Sequence, residues 1–255
     1  MNLTVLILAL PVAAIAAIRG IWSPCGLSML SSITPMTEAG RGNRFTTTAT
    51  WFVVGSVLGG LSIGAIAALG AAGIATLDLA DTTLFALIAG AALLTSAIDF
   101  GLAGDRLPIF KRQVNDAWLR TYRSWVYGAG FGWQIGFGVA TYIMTGGVFL
   151  TIAIAVLSGQ PLLAVLVGAT FGLVRGSAVF IGRSAVTPAA LSDVHARLDA
   201  AAPAARDAAA WVQVSAAAGA AAIAWHPAAA LAIFAGFAAL SLGPAPVRLV
   251  PRSHS

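Results

Sequence analysis

Residues 19–36 read Arg-Gly-Ile-Trp-Ser-Pro-Cys-Gly-Leu-Ser-Met-Leu-Ser-Ser-Ile-Thr-Pro-Met and follow a continuous apolar run, Leu3–Ile18. Proline has no backbone N–H group, and its ring disfavours a helical conformation of the residue before it. The sequence therefore predicts that the first helix is interrupted near Ser23 and Pro24. A helical segment that begins there holds Cys25 in its first turn, where free N–H groups and the helix dipole favour negative charge.

The composition predicts an all-α integral membrane protein. Of the 255 residues, 59% are hydrophobic and 9% are charged, and the apolar residues form blocks of membrane-spanning length. The net charge of +5 comes mostly from arginines in short loops, so we expect contact with membrane lipid and no nucleic-acid partner. The only cysteine, Cys25, rules out a disulfide within the chain.

The apolar blocks predict about six or seven transmembrane helices. The first block, 3–36, is too long for one straight crossing, which again indicates a break. The last block, 208–242, is too long for one span, and His226-Pro227 is the predicted point of division. The predicted segments are 3–36, 47–75, 83–103, 125–157, 162–182 and 208–242.

The distribution of Lys and Arg predicts the orientation in the cell membrane. Loops 37–46, 104–124 and 183–207 are basic, and loop 183–207 could form a short surface helix. Loops 76–82 and 158–161 contain no Lys or Arg. Basic loops stay in the cytoplasm, so the N-terminus is expected outside. With seven spans the basic C-terminal tail, which carries Arg248 and Arg252, is inside. With six spans it is outside, against the rule, so we expect seven spans and a C-terminus inside.

Two halves of the chain match weakly within one polytopic membrane domain, 1–255. The three-helix halves are 1–103 and 125–225, and 226–242 is an extra helix. Aligning Trp22 with Trp133 places Cys25 opposite Gly136. Further along, the segment 54–59 matches 167–172. The matched segments run in opposite directions, which predicts an inverted repeat with broken first helices and a site near the membrane midplane. The alternative is chance similarity between glycine-rich spans, because small residues generally mediate membrane helix packing.

The motif Trp22-Ser23-Pro24-Cys25-Gly26 resembles the CcdA/DsbD-type transmembrane proteins of cytochrome c biogenesis. In that family a Ser-Pro-Cys sequence breaks the first helix. A second cysteine, after a Gly-Trp-Thr-Pro-like sequence, breaks the fourth helix. Phe131-Gly132-Trp133 is similar to the approach to that second motif. The resemblance implies two inverted three-helix halves and a thiol relay that starts from a thioredoxin-like partner.

The chain departs from the family at the second cysteine. Gln134-Ile135-Gly136 stands where Thr-Pro-Cys is expected, so a relay between two cysteines cannot run within one chain. The leading hypothesis is a membrane thiol-disulfide oxidoreductase in which Cys25 works with a thiol of a partner protein. The alternatives are a transporter of a small solute or ion with a similar fold, and an assembly subunit with no site of its own.

The resemblance makes Cys25 the candidate catalytic residue, although a small apolar residue at a helix break is the alternative. The residues expected to shape the site are Arg19, Trp22, Pro24, Trp133 and Gly136. Arg19 could favour the Cys25 thiolate, bind an anionic substrate, or extend to the membrane interface.

Two further charges fall within predicted spans. We expect Asp99 and Arg175 to form an ion pair, because charges inside a membrane are usually paired or line a polar path. The sequence contains no phosphate-binding loop, no dinucleotide fingerprint and no cluster of His and carboxylate residues with ligand spacing. It therefore predicts no cofactor and no metal.

Overall fold

The computed structural model describes residues 2–102 and 118–242, and every regular element in these two stretches is a helix. Five helical segments are long and apolar enough to cross a membrane, and two shorter apolar helices accompany them. This architecture is consistent with a multi-pass membrane protein. The α-helices are α1 (Asn2–Arg19), α2 (Pro24–Ser32), α3 (Pro35–Gly40), α4 (Phe45–Ala75), α5 (Asp81–Asp99), α6 (Trp118–Thr121), α7 (Ser124–Phe137), α8 (Gly147–Leu157), α9 (Pro161–Ser177), α10 (Pro188–Ala224) and α11 (Pro227–Leu242).

The predicted interruption of the first helix is confirmed. Helix α1 tightens into a 3-10 turn over Gly20–Trp22, and α2 begins at Pro24. Between them Ser23 is extended, with φ −68° and ψ 153°. Its side chain accepts a hydrogen bond of 3.1 Å from the backbone N–H of Gly26. The chain therefore replaces the lost helical bonds with a side-chain cap at the start of α2.

The predicted segment 125–157 is also interrupted. It consists of α7 and α8, with a non-helical stretch over 138–146. Gly138, at the end of α7, has a φ of +77°, a conformation that glycine adopts without strain. The interruption therefore follows Gly136 rather than beginning at it.

The C-terminal part confirms one expectation and corrects another. Helix α10 ends at Ala224 and α11 begins at Pro227, as the division at His226-Pro227 predicts. The residues from Pro188 to 207, however, form no separate surface helix but the first half of the 37-residue α10. Alanine-rich sequence has a high helix propensity, and Thr187 caps the new helix by accepting a 3.2 Å hydrogen bond from the N–H of Ala190.

The centre of the bundle is the crossing of α4 and α9. A Cβ atom on Gly60 would lie 2.2 Å from the carbonyl oxygen of Gly168, and a Cβ atom on Gly168 would lie 2.3 Å from that of Gly60. Ser56 lies against Gly172, and Gly64 lies against Ala164, so the two helices are antiparallel. Backbone-to-backbone contact of this kind requires glycine at the crossing.

Helix α7 packs parallel to the first half of α4. The backbones of these two helices approach each other as closely as those of α4 and α9 do. A Cβ atom on Gly132 would lie 2.0 Å from the carbonyl oxygen of Phe52, and one on Gly136 would lie 2.0 Å from that of Ser56. Helix α5 packs along α10, and α1 packs on α8, α9 and α10. Residues of both interruptions, Gly20 of the first and Gly138 of the second, line one small pocket together with Arg175.

Most of loop 104–124, including Arg106, Lys111 and Arg112, lies outside the described residues, as does the tail that carries Arg248 and Arg252. The orientation of the chain in the membrane therefore stays a prediction.

Candidate functional site

Cys25 lies in the first turn of α2, as the sequence predicts. Pro24 is the first residue of that helix and Cys25 is the second. The cysteine is 2% exposed. The positive end of the α2 dipole therefore acts on the Cys25 sulphur from within the protein, where water screens it little.

The guanidinium group of Arg175 lies at the break between α1 and α2. Its Nη1 donates a hydrogen bond of 3.1 Å to the carbonyl oxygen of Ala17, and its Nη2 donates one of 3.2 Å to Ser23 Oγ. Arg175 is 4% exposed. A Cβ atom on Gly20 would lie 1.8 Å from Arg175 Nη1, so the guanidinium occupies the space that a side chain would need.

The predicted ion pair between Asp99 and Arg175 is wrong. Asp99 Oδ1 accepts a 2.7 Å hydrogen bond from the N–H of Gly146, and Asp99 Oδ2 accepts bonds from Thr145 Oγ1 and, at 2.6 Å, from Gln213 Nε2. Asp99 therefore lies at the start of α8, where free N–H groups attract a carboxylate. Arg175 instead reaches α1 and the break that follows it.

Arg19 is the last residue of α1. Its guanidinium carbon is 5.9 Å from the centre of the Trp22 ring, a cation–π distance, and it interacts electrostatically with Asp99. Among the described residues, Arg19 Nη1 and Gln213 Oε1 are buried side-chain atoms without a hydrogen-bond partner. We call Arg19, Asp99, Thr145 and Gln213 the polar cluster.

Sequence reasoning missed two members of the polar cluster. Gln213 is a polar residue within an otherwise apolar span and is fully buried. Its isolation within that span is a signal that could have marked it. Thr145 gives no comparable signal, because threonines are common in membrane helices and usually bond their own backbone.

Two predicted site-shaping residues lie elsewhere. The Trp133 side chain is 41% exposed and donates a 3.1 Å hydrogen bond to Ser62 Oγ on the outer surface of α4. Gly136 faces the backbone of Ser56, so no side chain fits at that position. Close helix packing therefore explains why the position aligned with Cys25 holds glycine.

The first half of α10 covers the Cys25 segment. Trp22 Nε1 donates a 2.8 Å hydrogen bond to the carbonyl oxygen of Leu198. Ser31 Oγ lies 3.2 Å from His195 Nε2. In this arrangement the first half of α10 lies against the segment that holds Cys25, and the Cys25 side chain is buried.

A buried carboxylate, that of Glu38, lies on α3. Glu38 is fully buried and accepts hydrogen bonds from Arg41 Nη1 at 2.7 Å, from Thr48 Oγ1 at 2.5 Å and from Tyr127 Oη at 2.6 Å. The bonds connect α3, α4 and α7. Three protein side chains donate to the Glu38 carboxylate, so we interpret this cluster as one that holds α3 against α4 and α7. No group of three or more His, Cys, Asp or Glu residues in the described ranges could hold a metal ion.

Comparison with known proteins gives one group of relatives. The chain is 33% identical over 171 residues to methylamine utilization protein MauF of Methylophilus methylotrophus. It is similar to MauF. The chain is also 31% identical over 189 residues to MauF of Paracoccus versutus and 32% identical over 162 residues to MauF of Methylobacillus flagellatus. No family model matches the chain, and no solved structure matches it.

Each of the three matches to MauF covers more than half of this chain. They include 64%, 71% and 60% of this chain and 58%, 66% and 55% of the three relatives, in the order given above. The matched part of each MauF protein is therefore less than two thirds of its length.

Proposed function

We propose that this chain is a multi-pass membrane protein of methylamine utilisation that acts through Cys25. The similarity to three MauF proteins, each named for methylamine utilisation, carries the proposal. The placement of the only cysteine in the first turn of α2, at the break of the first helix, supports the role of Cys25.

We also propose that the fold is an inverted repeat of the CcdA/DsbD type. The antiparallel crossing of α4 and α9 supports this, because two halves inserted in opposite directions bring their second helices together in this way. The burial pattern of α4 also recurs on α9. The buried positions Gly55, Ser56, Gly59, Gly60, Gly64 and Ala67 have the same spacing as Leu163, Ala164, Val167, Gly168, Gly172 and Arg175.

The burial pattern therefore aligns α4 with α9 differently from the sequence motifs. The sequence comparison aligns Gly55 with Gly168, whereas the burial pattern aligns Gly60 with Gly168. Glycines recur every four or five residues in both helices, so several registers match by residue type. Burial separates them, because only one face of each helix lies at the crossing.

The proposed chemistry is thiol–disulfide exchange. The Cys25 thiolate attacks one sulphur of a disulfide in a partner protein, which forms a mixed disulfide and releases the other partner sulphur as a thiolate. A further thiol of the partner, other than the one just released, then attacks the partner sulphur of the mixed disulfide. This step forms a new disulfide within the partner and releases Cys25 as a thiolate, so the net result is a rearranged disulfide with no net oxidation or reduction. The chain carries one cysteine, so the partner protein supplies the resolving thiol.

A growth assay tests this proposal. The full chain is expressed in Paracoccus versutus lacking its own MauF, and growth on methylamine is measured. We expect the wild-type chain to restore growth, and Cys25→Ser and Cys25→Ala to abolish it, because neither residue forms a disulfide. Blotting for the chain in membrane fractions verifies that each variant accumulates.

The outcomes test the role of Cys25 and the assignment to methylamine utilisation separately. Growth restored by the wild type and by both Cys25 variants would contradict the role of Cys25 and favour an assembly subunit. Failure of an accumulated wild-type chain to restore growth would contradict the assignment to methylamine utilisation. A reductant-sensitive adduct of the wild-type chain on non-reducing gels, absent in Cys25→Ser, would support intermolecular exchange.

A second candidate function is transport of a small solute or ion, and the polar cluster favours it. Polar and charged groups inside a membrane bundle commonly line the path of a substrate or ion. Arg19 Nη1 and Gln213 Oε1 are the buried side-chain atoms of the described region that lack a protein partner, and both belong to this cluster. A solute that passes between α1, α5 and α10 would meet these atoms.

Uptake into vesicles tests the second candidate. The purified chain is reconstituted, and entry of labelled methylammonium is compared with that in protein-free vesicles. If the chain transports this solute, Asp99→Asn should reduce uptake about tenfold or more, because it removes the negative charge of the polar cluster. Asp193→Asn, at an exposed position of α10, should have no effect. Uptake equal to that of protein-free vesicles would contradict transport of methylammonium.

A further inference from the structure

We propose that a cavity between the turn after α3 and the start of α7 binds the phosphate of an anionic lipid headgroup. Its volume is about 580 Å³, which is within the range of ligand-binding pockets. The lining includes Arg41, Asn43, Arg123, Ser124 and Trp125. This binding site goes beyond the proposed function, because its lining contains neither Cys25 nor a member of the polar cluster.

Two arginines make the cavity positively charged. Arg41 and Arg123 line it, and none of the described lining residues is acidic. The buried Glu38 carboxylate pairs with Arg41 and offsets one of the two charges. Arg123 is exposed and has no carboxylate partner in the described ranges. The charge that is left matches the single negative charge of a lipid phosphodiester, whose oxygens a guanidinium binds through paired N–H groups.

The side chains of Arg41 and Asn43 are held in place by the protein. Arg41 Nη1 donates hydrogen bonds of 2.7 Å to Glu38 Oε1 and 2.8 Å to the carbonyl oxygen of Ser32. These two bonds use only Nη1, and the Arg41 side chain stays 27% exposed. Asn43 Nδ2 donates a 3.2 Å hydrogen bond to Tyr127 Oη. The polar groups of the cavity are therefore ordered before a ligand arrives, which lowers the entropy cost of binding.

The N-terminus of α7 opens onto the same cavity. Ser124 and Trp125 are the first two residues of this 14-residue helix and line the cavity, and no side chain caps the helix. The N–H groups in the first turn of an uncapped helix attract anions. The helix dipole therefore adds to the charge of Arg41 and Arg123.

The apolar surface beside the cavity favours a lipid over free phosphate. Trp125 contacts Trp51 of α4, and their ring centres are 5.9 Å apart. The exposed side chains of Val54 and Leu58 continue from Trp51 along one face of α4, because residues three and seven positions apart lie on the same side of a helix. Exposed tryptophans are typical of the headgroup level of a membrane. A lipid whose phosphate occupies the cavity therefore places its acyl chains against Val54 and Leu58.

Native mass spectrometry of the purified full chain in detergent measures how tightly it retains added lipid. The anionic probe is dioleoyl-phosphatidylglycerol. The control is dioleoyl-phosphatidylcholine, which has the same acyl chains and a phosphate but no net charge. We expect the wild-type chain to bind phosphatidylglycerol about tenfold more tightly than phosphatidylcholine, because the choline group adds a positive charge beside two arginines.

Three variants test the cavity itself. Arg123→Gln removes a charge that has no partner in the described ranges, and it should lower the affinity for phosphatidylglycerol about tenfold. Ser124→Asp places a carboxylate in the cavity and should abolish the preference for the anionic lipid. Because aspartate is favourable at a helix N-terminus, Ser124→Asp should fold even if Arg123→Gln does not. Arg197→Gln removes an exposed arginine of α10 that does not line the cavity and should leave both affinities unchanged.

The proposal is overturned if the wild-type chain retains the two lipids equally, or if Arg123→Gln and Ser124→Asp bind phosphatidylglycerol as the wild type does. It is also overturned if Arg197→Gln weakens binding as much as Arg123→Gln does. Inorganic phosphate is compared with chloride at equal ionic strength in thermal unfolding of the same proteins. A midpoint that rises with phosphate but not with phosphatidylglycerol, and does not rise in Arg123→Gln, would show a site for soluble phosphate and would contradict lipid binding.

Discussion

Replacing Gly60 with alanine is expected to lower the free energy of unfolding by about 3 kcal/mol, because it forces α4 and α9 apart at their crossing. The new Cβ atom would lie 2.2 Å from the carbonyl oxygen of Gly168 and 2.9 Å from the Cα atom of Gly172. Both neighbours are backbone atoms, so no side-chain rotation can relieve the overlap. Gly168→Ala makes the reciprocal overlap, at 2.3 Å from the carbonyl oxygen of Gly60, and should cost a similar amount.

Thermal stability is measured in detergent. The readout is the fraction of protein that stays monodisperse after heating to each temperature. Gly60→Ala and Gly168→Ala should each lower the midpoint by roughly 5 °C or more. The matched control is Gly90→Ala in the interior of α5, where an added Cβ atom meets no heavy atom within 4 Å. Gly90→Ala should leave the midpoint unchanged or raise it slightly. A midpoint for Gly60→Ala equal to that of Gly90→Ala would show that α4 and α9 do not cross at these glycines.

Replacing Glu38 with alanine is expected to cost about 3–5 kcal/mol of stability, as is typical when one partner of a buried charged network is removed. Thr48 Oγ1 and Tyr127 Oη would lose the carboxylate oxygen to which they donate, and Arg41 would lose its ion-pair partner. Because these donors lie on three different elements, the loss should loosen the contact of α3 with α4 and α7.

Thermal unfolding in detergent also tests this prediction. Tyr127→Phe removes only one donor and keeps the aromatic ring, so it should cost about 1–2 kcal/mol. Asp193→Ala removes an exposed carboxylate of α10 and should change stability by less than about 0.5 kcal/mol. If Glu38→Ala were no more destabilising than Asp193→Ala, Glu38 would not be buried in this network.

The sequence predicted those features that depend on local chemistry. A capping serine followed by proline at the first helical position favours the start of a helix, so the start of α2 at Pro24 and the place of Cys25 followed from the motif alone. The division at His226-Pro227 followed for the same reason. The helical, membrane-spanning class followed from the number of consecutive apolar residues, which is a property of composition.

The partners of the buried charges could not be predicted in this way. Asp99 and Arg175 are the expected ion pair by charge and position in their segments, yet Asp99 caps α8 and Arg175 bridges α1 and α2. Which groups meet depends on the rotation and crossing of helices far apart in sequence. Hydrophobicity does not specify these angles when nearly every position of a helix is apolar.

The sequence by itself determined the class of the protein, the break before Cys25 and the end of α10, because each depends on residues within one or two turns of helix. Tertiary structure alone decided that Arg175 binds the Ser23 cap of α2, that Gly60 rather than Gly55 lies opposite Gly168, and that Glu38 is buried. The physical reason is that backbone contacts between glycines set how closely α4 approaches α7 and α9. That approach determines which polar side chains have a partner within reach.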